Sequence, residues 1–160
     1  AWEKALKTDG PSILALSRQG LEAFREEKTN INLTSKGGYL ISDVKGKRDV
    51  TLIATGSEVE VAMKTATLLS EENINAAVVS LPCWELFDNQ SDDYKHNVLG
   101  DVLKVGIEAG SEIGWHKYIE STGLFIGMNS FGASAPAKEL FKFFGFDPND
   151  IKEKILKRIS

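Results

Sequence analysis

The feature that most restricts the fold is an alternation of short apolar runs with helical patterns, which begins near Gly37. Asp49 to Thr55 (DVTLIAT) is a near-continuous run of the kind carried by strands buried on both faces. Ser57 follows at once with Glu60 three residues on, the spacing of a capping box, and Val59, Ala62, Met63, Ala66 and Leu69 share one helical face. Ile74 to Leu81 (INAAVVSL) and Val102 to Glu108 repeat the strand pattern, with shorter runs at Gly38 to Ile41 and Gly123 to Met128. Ser91, Asp92 and Asp93 open a short helix that Gly100 closes, and Gly114 to Ile119 has the look of a helical turn. A further helix is predicted over Ala135 to Phe144, capped by Ser134 and stopped by Gly145. A last one starts at Asp147-Pro148 and aligns Ile151, Ile155 and Ile159. This order predicts an α/β fold with an open, mostly parallel sheet and helices on both faces. Ligands of such sheets gather at the carboxyl ends of the strands. Those ends carry Thr55-Gly56-Ser57, Pro82-Cys83-Trp84 and Glu108-Ala109-Gly110.

The first 35 residues read differently. Trp2, Ala5 and Leu6 have helical spacing, Asp9-Gly10-Pro11 stops them, and Ser12 to Ser17 (SILALS) is an apolar run predicted as a strand. A polar linker is predicted from Glu22 to Lys36, which divides the chain into residues 1–35 and a domain over 36–160. The opening on a helical half-turn without an initiator Met predicts a piece of something longer. A lone strand would expose Ile13, Leu14 and Leu16, and pairing with a second copy of the chain is the expected cover.

Composition removes several classes of function. A length of 160 residues with 42% hydrophobic content suits one main folded unit. A formal charge of −4 offers no field for polyanions, which argues against nucleic-acid binding. One cysteine cannot form an internal disulfide, no Cys/His cluster has zinc spacing, and both facts suit a reducing cytosol. No apolar stretch reaches membrane-spanning length, and AWEKALKTDG has no signal-peptide pattern.

Each candidate site has a competing structural reading. Thr55-Gly56-Ser57-Glu58 puts a glycine and a hydroxyl at a helix N-terminus, a place that favours anions, but Glu58 opposes a phosphate and capping accounts for Ser57. Cys83, with His96 or His116 as base, would make a nucleophile, yet a thiol ending an apolar strand reads as a small hydrophobe. Gly114-Trp115-His116-Lys117-Tyr118 reads as a packed element, and Phe131 to Pro136 as a glycine turn leading into a cap. Arg18, just past the apolar run in Ser17-Arg18-Gln19, can present a planar fork to a phosphate or enter a surface salt bridge.

The blocks SRQ at 17–19, GGY at 37–39, DVTLIATGSEV at 49–59, VVSLPCWELFD at 78–88, GIEAGSEIGWHKY at 106–118 and IGMNSFGASAPAKELFKFFGF at 126–146 run in order along the chain. Together they resemble transketolase. The resemblance implies the last helix and strand of the pyrimidine-binding domain over residues 1–35, then the whole C-terminal domain. It implies a parent that moves two-carbon ketol units between sugar phosphates in the pentose phosphate pathway, a cytoplasmic homodimer using thiamine diphosphate and a divalent metal, Mg or Ca. Neither cofactor is expected on this chain, since the family's cofactor motifs lie upstream of the matching blocks. No catalytic, cofactor-binding or metal-binding residue is therefore assigned. The resemblance makes Arg18 a substrate-phosphate contact; Gly20, where the family often has Asn, departs from the pattern. The alternatives are a small-anion-binding regulatory module near Gly56 and Ser57, or the C-terminal domain of another thiamine enzyme, such as 1-deoxyxylulose-5-phosphate synthase or a dehydrogenase β subunit.

Overall fold

The computed structural model describes residues 1–24 and 30–159. Strands β1 (Tyr39–Ser42), β2 (Val50–Ala54), β3 (Ala76–Ser80), β4 (Leu103–Ile107) and β5 (Leu124–Ile126) form one sheet in the order β1-β3-β2-β4-β5. The last four run parallel, and β1 lies antiparallel along the β3 edge with a register break between Leu40 and Ser42. The mostly parallel α/β sheet is thus the one the alternation predicts.

Both faces are covered because β2 and β3 carry apolar side chains on both sides of the pleat. Val50, Leu52, Ala54, Val78, Val105 and Ile107 meet α2 (Glu58–Glu71) and α7 (Pro148–Ile159), which add Val59, Ala62, Leu69, Ile151 and Ile155. On the opposite face Ile53 and Val79 meet α3 (Trp84–Asp88), α4 (Asp92–Leu99) and α5 (His116–Ile119) through Phe87, Val98, Trp115, Tyr118 and Ile119. A buried lysine on this second face, Lys104, reaches Glu120 at 2.9 Å, and Tyr118 donates to Asp88 at 3.1 Å, tying α5 to α3.

The departures from the sequence reading have local causes. Ser57 has helical φ and ψ (−67°, −27°), so its hydroxyl cannot fold back as a cap; no capping box forms with Glu60, and the hydroxyl donates to the Glu58 carboxylate instead. Ser91, at φ −61° and ψ 153°, does cap its helix, accepting from the Tyr94 N–H at 3.3 Å. Ser134 does not cap α6 (Ala137–Phe143): Pro136 disfavours helical geometry at the residue before it and itself stands at the N-cap position. Along α7, Ile151 and Ile155 are buried while Ile159 is exposed.

At the start of the chain, α1 (Trp2–Leu6) forms as expected. Ser12 to Ser17 pairs with no strand of the sheet, correcting the expected strand: an apolar sequence alone supplies no ladder partner, and Ile13 and Leu16 stand exposed. Part of the expected linker, 25–29, lies outside the described residues, and its end folds into a 3₁₀ turn at Leu33–Lys36. Gly37 then enters the domain at φ +80°, where a left-handed backbone favours glycine.

Candidate functional site

Strand β3 lies on one side of β2 and β4 on the other, so the chain reverses its winding direction between β2 and β4. Ligands of open α/β sheets bind in the crevice at such a reversal. Here the chain's own carboxylates fill it. Thr55 Oγ1 donates to Glu108 Oε2 at 2.7 Å, linking the carboxyl ends of β2 and β4. Glu58, buried in the first turn of α2, accepts from the Ser57 hydroxyl at 2.9 Å and from the Ala109 N–H at 3.0 Å. The anion that the α2 N-terminus favours is therefore supplied by Glu58. Burial pushes the Glu108 carboxyl above its ordinary range, the Thr55 hydrogen bond opposes this, and the nearby Glu58 carboxylate adds to the rise.

That shift has a consequence for stability. A carboxyl whose folded pKa is raised binds its proton more tightly in the folded state. Its contribution is complete below the unfolded value, near pH ~4.3, and is lost as pH rises through the folded pKa. Glu108→Gln retains an acceptor for Thr55 and removes the charge. The variant should therefore melt higher than the parent at pH 7 and lose that advantage by about pH 4, as calorimetric scans across this range would read.

Residues 17–24 lie over this end of the sheet. The Ser17 Oγ stands 3.3 Å from where a Cβ on Gly56 would sit, and Phe24 packs on the core that α2 covers. Gln19 and Leu21 line a groove of about 330 Å³ together with Ser57, with Lys64 of α2 and with Lys138 and Phe141 of α6. Leu21 and Phe24 also border a second groove of about 410 Å³ with Gly56, Val59, Ser80 and Pro82. Arg18 is exposed and pairs with no carboxylate among the described residues. Gly20 has open space where a side chain would go and a φ outside the left-handed region, so the position accepts other residues.

The remaining candidates stand apart. Cys83 is half-buried rather than buried, and its Sγ lies 3.5 Å from Glu85 Oε2. His96 is exposed in the last turn of α4. His116 is exposed and faces Glu112 at 3.5 Å, an acidic neighbour one turn earlier, while Trp115 and Tyr118 are buried as a packed element requires. Among the described residues no three His, Cys, Asp or Glu side chains gather to hold a metal. No helix among them is long and apolar enough to cross a membrane. The Glu58–Glu108 pair and the approach of Ser17 to Gly56 went unread in the sequence; the strand-end rule marks two of these four positions, Gly56 and Glu108, but does not pair them.

A family model described as the transketolase-like TK C-terminal domain matches residues 37–147. The transketolase of Sinorhizobium medicae is 45% identical over 158 residues, an overlap of 98% of this chain and 23% of that protein. A crystal structure of a transketolase mutant from Pichia stipitis superposes with a TM-score of 0.87 at 41% identity, covering 99% of this chain and 23% of that one. Another from the same organism, solved as a complex with sedoheptulose-7-phosphate, has a TM-score of 0.72 at 42% identity, covering 78% of this chain and 18% of that one. The chain thus spans about a quarter of the length of the curated relatives it matches.

Proposed function

This chain belongs to the transketolase family, as its C-terminal portion, and from that premise we propose that it serves an enzyme moving two-carbon ketol units between sugar phosphates. The observation that carries the reading is the similarity to transketolases along 98% of the chain. The parent reading includes thiamine diphosphate and a divalent metal, magnesium or calcium, a place in the pentose phosphate pathway, a cytoplasmic homodimer, and sugar phosphates as substrates. It includes no nucleic-acid or membrane partner. Thiamine diphosphate supplies the carbanion chemistry when bound. Residues 1–35 belong on this reading to the pyrimidine-binding domain and 36–160 to the C-terminal domain; the family match over 37–147 supports the boundary.

Within the reading, Arg18 contacts the substrate phosphate. Its support is the SRQ block, the exposed guanidinium and the lack of a carboxylate partner among the described residues. The rest of the chain is scaffold: Glu58 already fills the anion-favouring helix end, which weighs against an effector site there. The isolated chain should neither transfer ketol units nor bind thiamine diphosphate with magnesium. Calorimetry tests this, and tight, metal-dependent binding would overturn it. Ketol transfer by a polypeptide of the relatives' full length that carries this segment tests the parent activity, and a folded protein with no transfer from any ketose phosphate would refute it.

A further inference from the structure

We propose that Gly56 is a positioning residue for Arg18, through the seat it offers to Ser17. The inference rests on the reading of Arg18 as a phosphate contact and adds what sets its place. Arg18 has no carboxylate partner among the described residues, and its chain neighbours on both sides come close to the C-terminal domain. On one side stands the β2–α2 turn: Gly56 has φ +50°, and a Cβ there would stand 3.3 Å from the Ser17 Oγ. On the other side Gln19, Leu21 and Phe24 lie along α2. Residue 18 thus lies between Ser17, which stands close to the Gly56 turn, and Gln19, Leu21 and Phe24, which lie beside α2.

The turn is built to stay in place. Thr55 and Ser57, which flank Gly56, are bonded to Glu108 and Glu58, and Glu58 is bonded to the Ala109 backbone. The Thr55–Glu108 and Glu58–Ala109 bonds cross to the end of β4, so the turn is tied to two adjacent central strands. Holding a buried carboxylate and a half-buried one side by side is costly unless each is well hydrogen-bonded. A rigid seat for residues 17–18 gives that arrangement a use, because a displacement of about 1 Å can cost up to a hundredfold in rate where a substrate group must be aligned.

The test uses a transketolase of the relatives' full length carrying this segment, with a ketose phosphate and the same ketose without phosphate as donors. Gly56→Ala should raise KM for the phosphorylated donor about three- to tenfold, leave kcat nearly unchanged, and leave the unphosphorylated donor within about twofold. Adding Ser17→Gly should restore the phosphorylated donor to within about twofold, since it removes the group that the new methyl meets. Ser17→Val crowds the same contact without straining residue 56 and should reproduce the selective loss, which keeps the test valid if Gly56→Ala fails to fold. Equal losses on both donors, no loss in either single variant, or a loss that Ser17→Gly does not relieve would each overturn the inference. Arg18→Ala in parallel separates the two levels: if its loss is selective for phosphate and that of Gly56→Ala is not, only the positioning role fails. If the Arg18→Ala loss is itself unselective, the phosphate reading fails as well.

Discussion

Arg18→Ala, in a transketolase of the relatives' full length, should lower kcat/KM for a phosphorylated ketose about ten- to a hundredfold. A hydrogen bond to a charged group is worth about 1.5–3 kcal/mol, and each ~1.4 kcal/mol is a factor of ten. The guanidinium is exposed and has no carboxylate partner among the described residues, so its removal leaves no buried charge behind and should not destabilise the fold. The loss should therefore be a binding loss. Arg18→Lys should recover only part of it, because an ammonium keeps the charge without the planar fork. Steady-state kinetics on donors with and without phosphate decide the matter; equal losses on both would assign Arg18 another role.

Gly37→Ala should damage the fold severely. At φ +80° the residue sits in the left-handed region, where a side chain costs about 1–2 kcal/mol. The larger cost is steric. A Cβ would lie 2.2 Å from the Phe87 nitrogen and 2.4 Å from the Cys83 carbonyl oxygen, both backbone atoms of the α3 turn. The same residue's carbonyl accepts from the Cys83 N–H at 3.0 Å, so α3 cannot move away without breaking that bond. A total of ~3 kcal/mol or more should lower the melting temperature by roughly 6–12 °C for a domain of this size. A thermal scan within 2 °C of the parent would show that the loop yields. Gly132→Ala, with no atom near the added methyl, serves as the control.

The five strands were legible because each is a short, mainly apolar run bounded by polar or glycine-rich turns, and β2 and β3, buried along their whole length, show the pattern most fully. The α3 helix was not: Trp84–Asp88 is a single turn, too short for a helical period, and Trp84 and Phe87 find their places by packing with Trp115 and Tyr118. Capping misled at Ser57 and Ser134 because a cap is a backbone state as much as a residue type, whereas Ser91 has both. The site was legible only in parts. The Glu58 and Glu108 side chains come together through the adjacency of β2 and β4, which are separated in sequence by α2, β3, α3 and α4, and no local pattern encodes that neighbourhood. Ser17 and Gly56 meet in the same way. Arg18 emerged from the SRQ block, not from any periodicity.

The contribution of α7 bears on how the domain is made and how it can be divided. Ile151 and Ile155 are fully buried against the sheet face that α2 also covers, and Lys152 reaches back to Glu72 at 3.2 Å. During synthesis, β2, α2, β3 and β4 all leave the ribosome before α7 does, so this face stays partly open to water until α7 has emerged. Translation adds about 5–20 residues per second, and that interval is when chaperones and proteases meet an exposed half-core. A cut placed after residue 147, where the family match stops, would prolong that vulnerable stage indefinitely by removing the lid of the hydrophobic face.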